Sequence, residues 1–444
     1  MATSLTSQAF SLWKSLRQGR VPGQLVIQIT DQCNATCPQC GMRATASFPR
    51  NTLKTDDVKR ILDKAVERGI KIVSFTGGEP FLQLETLVTL ISHAGNIGIE
   101  HIRTGTNGFL FLNSDKPRFQ QKVKIIAEKL ATTKLRNLWI SVDSADPSVH
   151  ETMRGFPGVI RGIERALPVF HSFGIYPSAN LGINRNIGGT STSSISISTN
   201  SRDEEAAYFY ESFRNAFRRF YKFIIDMGFT MVNSCYPMSL DDPQPESQLK
   251  AIYGATSQEN VVKFSDAERV LLFRALFDII PEYRTKIRIF SPRSSLYALC
   301  RQYEGFPSFP YPCRGGKDFF FIDSKDGNTY PCGYRGQENL GKFWDMIWPA
   351  ASNGSGCRLC DWECFRDPSE LFGPLLLGSS LPGSLIRALK NDLHRFRLWL
   401  EDVRYYRACD FFDGRRAPKL KQLHRFATVK FHEYDSSHWS IKDG

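Results

Sequence analysis

No stretch of the 444 residues approaches the roughly 18 uninterrupted apolar residues that a membrane-spanning helix needs. The first twenty, MATSLTSQAFSLWKSLRQGR, lack the apolar core of a secretory signal. Together these absences give the expectation of a cytoplasmic protein. Histidine is scarce, at eight, and neither His93 nor His101 has ligand spacing to the first cysteine group. No recognisable nucleic-acid module surrounds the aromatic residues, which argues against a nucleic-acid partner. A disulfide framework is also missing: the chain is long, and most of its eleven cysteines fall in two clusters with short, metal-like gaps. Reduced thiolates are the better account. The net charge of +12 favours an acidic or phosphate-bearing partner.

What is present centres on QITDQCNATCPQCGMR. Ile27 to Thr30 alternate apolar and polar residues in the strand manner, and Asp31, Asn34 and Pro38 form turns, so Cys33, Cys37 and Cys40 sit on a loop at a strand end. Closely held thiolates suit zinc or an iron–sulfur cluster, and both normally take four protein ligands. Here there are three. A cubane held by three cysteines leaves one iron open to a small molecule.

The spacing C-x3-C-x2-C after a first strand resembles that of the radical S-adenosylmethionine (SAM) superfamily. Thr76-Gly77-Gly78-Glu79-Pro80 ends a second strand and resembles that family's GGE motif; Thr106-Asn107-Gly108 ends a third, and Ser141-Val142-Asp143-Ser144 a fourth. Gln39 departs from the aromatic residue usual beside the third cysteine. The resemblance, which spans about residues 24–366, implies a [4Fe–4S] cluster on Cys33, Cys37 and Cys40 that gives an electron to SAM. The resulting 5′-deoxyadenosyl radical then takes a hydrogen from the substrate. It implies SAM contacts from Gly77, Gly78 and Glu79 to the amino group, from Thr106, Asn107, Ser141, Asp143 and Arg154 near ribose or carboxylate, and from Asn184 to adenine. The electron donor it implies is a flavodoxin or ferredoxin. A zinc loop followed by ordinary turns is the competing structural reading.

From Gln24 onward strands alternate with helices. The strands are LVIQIT, KIVSFTG, EHIRTGTN, LRNLWISVD, PSANLGIN and TMVNSCYP, and helices are expected near 56–68, 84–93, 120–130, 159–173 and 204–227. Such alternation argues parallel βαβ units, an α/β chain folded as a partial (β/α)6 TIM-like barrel with its chemistry at the carboxyl strand ends. A helix at 266–280 and the strand IRIFSP close the barrel. Two long polar connections, 188–200 and 239–263, follow strands on that face, where lids and mobile linkers compete as readings. The expected division is an N-terminal amphipathic helix in 1–22, the barrel in 23–292, a Cys-rich domain in 293–366 and a basic helical extension in 367–444.

In the Cys-rich segment, Cys313 and Cys332 flank eighteen residues that read as a hairpin turning at Asp326-Gly327. Cys357 and Cys360 form a C-x2-C pair, with Cys364 close behind. The pattern resembles the SPASM/twitch auxiliary-cluster domains of the same superfamily. Two further clusters would consume all eight remaining cysteines, including Cys235 inside a strand. One auxiliary [4Fe–4S] cluster on Cys313, Cys332, Cys357 and Cys360 is therefore expected, with Cys364 a substitute ligand or spare thiol. A zinc ribbon would use the same four. Cys300 and Cys409 read as helix cysteines.

Between Leu385 and Lys430 stand 12 Lys or Arg against 5 Asp or Glu, with Leu385, Leu389, Leu393, Phe396 and Leu400 at helical spacing. A helix packed across the barrel is one reading; peripheral contact with an anionic membrane or a phosphorylated substrate is another. The resemblance implies an oxidoreductase or maturase-type enzyme whose substrate is a peptide, or alternatively a lipid-like or other small molecule. Gly333 after Cys332 departs from the Asp of sulfatase-maturating relatives. A non-enzymatic zinc scaffold with an anion-binding tail is the contrasting reading.

Overall fold

The computed structural model describes residues 14–43, 50–198, 203–237, 239–240, 249–306, 310–347, 356–376 and 380–427. The expected N-terminal helix lies mostly outside them, though residues 14–17 are helical. Residues 199–200 of the first long connection, 241–248 of the second and the tail beyond residue 427 also lie outside.

Seven strands run parallel in sequence order: β1 (Gly23–Thr30), β2 (Ile70–Gly77), β3 (His101–Thr106), β4 (Leu135–Ser141), β5 (Ser178–Gly182), β6 (Met231–Cys235) and β7 (Arg288–Phe290). The crossover helices are α1 (Thr55–Glu67), α2 (Leu84–Asn96), α3 (Phe119–Ala131), α4 (Pro147–Arg154) with α5 (Val159–Ser172), α6 (Asp203–Asp226) and α7 (Asp266–Tyr283). In α1, Val58, Ile61, Leu62 and Ala65 are the buried residues, the stripe that a 3.6-residue period lays against a sheet. This is the expected partial barrel. The extra helix α4 was not anticipated, although Asp146-Pro147 announces it: the Asp146 carboxylate accepts the Ser148 and Val149 amides, and proline occupies the first turn.

The strand faces differ in chemistry. Leu25, Ile27, Val73, Phe75 and Ile102 join the core beneath the helices, whereas the alternate residues Gln24, Gln28, Ser74, Thr76 and Arg103 face the barrel interior. A strand covered on both sides normally reads as apolar throughout, so a polar inner face marks an interior built for something other than packing.

The Cys-rich segment does form the expected hairpin, β8 (Phe319–Ile322) with β9 (Thr329–Tyr330). It is not a detached unit: β8 pairs in parallel with β1, Gln24 to Phe319 through Ile27 to Ile322, and extends the barrel sheet to nine strands. Among the described residues four helices then follow α8 (Arg293–Tyr303): α9 (Glu363–Phe372), α10 (Leu381–Asn391), α11 (Leu393–Ala408) and the short α12 (Leu420–Leu423). The leucine periodicity suggested one helix across 385–400. Asp392 breaks it, leaving the helical region at φ −158° and capping α11 through the Arg395 amide at 2.9 Å.

α11 is a barrel component. The Asp402 carboxylate accepts the Ser294 amide at 2.8 Å, the Ser294 hydroxyl at 2.6 Å and the Arg293 amide at 3.1 Å, and so caps α8 from outside its own chain segment. The Tyr405 hydroxyl accepts the Ile289 amide at 2.9 Å and donates to the Ile287 carbonyl at 3.2 Å. We expect Asp402→Ala to lower unfolding stability by about 2 kcal/mol, since it orphans three donors at a helix start. Denaturant titration checks this, with the midpoint falling and the slope unchanged.

Candidate active site

The loop after β1 is fixed by the motif that ends β2. The Gly78 amide donates to the Thr30 carbonyl and the Glu79 amide to the Gln32 carbonyl, both at 2.8 Å. Side chains do not fit this approach: a Cβ on Gly77 would lie 2.0 Å from the Thr30 oxygen and one on Gly78 2.1 Å from the Gln32 oxygen. From the other side, the connection before α7 closes over the same loop. Gly41 donates to the Ala255 carbonyl at 3.2 Å and Ser257 to the Pro38 carbonyl at 2.9 Å. The described part of that connection is thus packed against the cysteines, and in the first connection Ile197 is pinned to Glu268.

Cys33, Cys37 and Cys40 are drawn together, each within electrostatic reach of the others. Burial pushes the Cys37 thiol up to about 11 and the Cys40 thiol to about 12. Thiolates there need a cation in contact, as a metal supplies. Beside them Glu79 is fully buried; one oxygen accepts the Phe81 amide at 3.0 Å and the other the Asn107 amide at 2.5 Å, while burial raises its carboxyl to about 7. Asn107 in turn donates to Asn34 at 2.9 Å and to the Cys33 sulfur at 3.7 Å.

Other expected SAM contacts are engaged with one another. Arg154 grips Asp143 through Nε at 2.9 Å and Nη2 at 2.5 Å, and Gln39 donates to the same oxygen at 2.7 Å. The unusual Gln39 therefore has a polar partner in place of a packing contact. His150, held neutral by a burial-lowered pKa of about 4, accepts the Asp143 amide at 3.1 Å. Asn184 donates its amide to the Asp143 and Gly182 carbonyls and accepts the Asn186 amide. Thr106 caps Gly108 at 3.2 Å. Ser141 ends β4 half-buried, at the carboxyl edge where the cysteine loop also lies.

The second constellation is ordered in the same way. Cys313, Cys332, Cys357 and Cys360 surround one cavity with Gly315, Trp362 and Phe365. Amides two residues on point at the sulfurs: Gly315, Tyr334 and Leu359 donate at 3.4 Å each, and the Trp362 amide serves Cys360. Cys364 is not brought to them. Its thiol lies 3.5 Å from a Glu363 oxygen, and its charged neighbours are Glu363, Arg103 and Asp367, inside the barrel. Among the described residues, no three His, Cys, Asp or Glu side chains gather at the spacing of a single ion.

Sequence reasoning missed Arg103, Tyr253 and Glu363, which enter the same interior. The polar inner positions of β1, β2 and β3 carried the available signal for Arg103.

Residues 27–183 match the family model described as Radical SAM superfamily. That segment is a radical SAM domain. An AdoMet-dependent heme synthase from Methanosarcina barkeri is 29% identical over 147 residues, 32% of this chain and 38% of that protein. A probable GTP 3',8-cyclase from Sulfolobus acidocaldarius is 32% identical over 154 residues, 34% of this chain and 45% of that protein. The chain thus spans less than half the length of these relatives. Among solved structures, native anSMEcpe with bound AdoMet is 16% identical, covering 74% of this chain and 79% of its own with a TM-score of 0.47. Streptococcus suis SuiB bound to S-adenosylmethionine is 17% identical, covering 74% and 66% with a TM-score of 0.46.

Removing Arg154 leaves the Asp143 carboxylate buried without its main partner, so Arg154→Met should cost about 3 kcal/mol or more. Unfolding by denaturant measures the loss, and restoration by the double change with Asp143→Asn separates charge pairing from packing.

Proposed function

We propose that the protein is a radical SAM enzyme with two [4Fe–4S] sites, one in the radical SAM domain and one auxiliary. The observation that carries this reading is the gathering of three partly or fully buried thiols beside Glu79 and Asn107, with no fourth thiol or imidazole joining them among the described residues. Cys33, Cys37 and Cys40 would hold the first cluster, and Cys313, Cys332, Cys357 and Cys360 the auxiliary one. Cys364 stays outside the ligand set, consistent with its place beside Glu363.

The chemistry that a cubane with one open iron brings to such a site is one-electron reductive cleavage of SAM. The chain's own part is positioning and exclusion of water. Glu79 would hold the SAM ammonium, the Asn107 amide orients that carboxylate, and the connection around Tyr253 to Ser257 covers the loop. The SPASM-like ligand pattern favours a peptide substrate and a maturase role, with a flavodoxin or ferredoxin as donor. A lipid-like substrate is the second reading, favoured by Ile386, Leu389 and Leu393, which stand exposed on α10 and at the start of α11 among basic residues.

Anaerobic reconstitution should yield about eight irons per chain, and Cys37→Ala about four, with 5′-deoxyadenosine formation lost. Four irons in the parent chain, with zinc bound, overturns the auxiliary assignment. The Glu79 carboxyl, raised to about 7, is mostly protonated at about pH 6, and only its ionised form pairs with an ammonium. SAM affinity should therefore rise with pH, by up to about tenfold per unit below 7, flattening above it. Glu79→Gln should abolish this slope in equilibrium binding.

A further inference from the structure

We propose that the barrel interior holds a carboxylate of the substrate, gripped by Arg103 and Trp139. This rests on the reading of the protein as a radical SAM enzyme, and it names the chemical group of the substrate that the barrel interior receives.

Arg103 stands on the inner face of β3. Its Nε donates to the Ser74 hydroxyl at 3.1 Å, and among the described residues neither Nη has a hydrogen-bond partner or an ion pair. Two positions along the same face, Gly105 pairs with Trp139 of β4, and the indole lies against it: a Cβ on Gly105 would fall 1.7 Å from the indole nitrogen. Glycine is needed there for the ring to take up this position. Among the described residues the indole N–H has no acceptor either. Strong donors thus stand on neighbouring strands with no hydrogen-bond acceptor among the described residues, although acidic groups lie within electrostatic reach of the guanidinium, and unmet donors inside a protein are costly. An anionic ligand removes that cost, and Arg offers a planar fork that fits carboxylate oxygens two at a time.

The surroundings select a single negative charge. Glu363 and Cys364 lie within electrostatic reach of Arg103, and the Glu363 carboxyl already takes the Tyr236 amide at 3.4 Å and the Cys364 thiol at 3.5 Å. A phosphate, carrying nearly two charges near neutrality, would meet one arginine and an adjacent acid, leaving its second charge uncompensated. A carboxylate balances the arginine. The position also suits chemistry at the candidate cluster. Tyr253 meets Thr76 of the glycine motif at 3.2 Å and has both Cys40 and Cys364 within electrostatic reach, so it links the cysteine loop to this interior.

The test uses the full chain, reconstituted without oxygen, and follows alkylation of Cys364 by iodoacetamide with peptide mass spectrometry. Acetate and inorganic phosphate are the probes, titrated against chloride at constant ionic strength. Acetate should slow the reaction at Cys364 about tenfold at about ten times its dissociation constant. Arg103→Gln should remove the protection, Arg103→Lys keep part of it, and Trp139→Phe weaken it while leaving the ring in place. Protection by phosphate without protection by acetate overturns the carboxylate assignment. No protection by either, or equal protection in Arg103→Gln with unchanged iron content, overturns the anchor itself. Failure of the enzyme reading would appear separately, in iron content and SAM cleavage of the parent chain.

Discussion

The closest backbone approach around the first cysteine group is the one on which the rest depends. Thr30 and Gln32 offer their carbonyls to the amides of Gly78 and Glu79, and two glycines leave the gap in which those bonds form. That contact sets the direction of the cysteine loop as it leaves β1. It also fixes Glu79, whose second oxygen holds Asn107 at the end of β3, and Asn107 reaches back to Asn34 and Cys33. Three strand ends are thereby locked into one polar unit. Each bond is worth about 1 kcal/mol alone, but each also satisfies a group that would otherwise be buried unpaired, and the cost of such an orphan exceeds the value of the bond.

β1 then serves two sites. On one edge it pairs with β2 and carries the cysteine loop; on the other it pairs with β8, whose hairpin runs between Cys313 and Cys332. The spacing between the two thiol groups is set by a single sheet, a stiffer tether than a linker. The space between is walled by aromatic rings: Tyr253 against Phe321 at 5.3 Å and Trp362 at 5.8 Å, and Trp362 stacked on Tyr334 at 5.5 Å. Such a wall excludes water from both sites and orders the connection that covers the first.

How much of this was legible follows from how local each determinant is. The cysteine spacings, the glycine motif and the strand–helix alternation are contiguous in sequence, and the structure places them as their patterns require. α4 was legible in Asp146-Pro147 yet passed over, because eight residues carry little periodicity. The break at Asp392 lay hidden within a leucine repeat that is regular on both sides of it. What no local pattern contains is pairing across the chain. The β1–β8 contact joins residues about three hundred positions apart, and the separation of Cys364 from the other four thiols follows from the start of α9, which turns Glu363 and Cys364 into the barrel. Asn184 and Arg154 show the same limit. The resemblance implied ligand contacts for both, and the hydrogen bonds that Arg154 makes to Asp143 and Asn184 to the Asp143 and Gly182 carbonyls appear only in the fold.

The basic tail shows why charge counted along a sequence is weak evidence for a partner. Of the excess between Leu385 and Lys430, Arg395 forms a buried pair with Glu370, Arg415 donates to the Ala131 carbonyl, and Arg416 and Lys419 both reach Asp410. Of these, Arg415 ties the extension to the barrel, as do Asp402 and Tyr405, while the other charges are spent on pairs within the extension itself. The choice between a packed helix and a surface-seeking one therefore divides along the tail. α11 belongs to the packed structure, since its removal would uncap α8 and expose the edge at β7. α10 is different: Ser384 and Ala388 are its buried residues, and small side chains bury little area, so its hold on the body is weak. Any contact of the extension with a lipid surface or a second molecule would accordingly fall to α10, through the exposed Ile386 and Leu389, without disturbing the barrel that α11 completes.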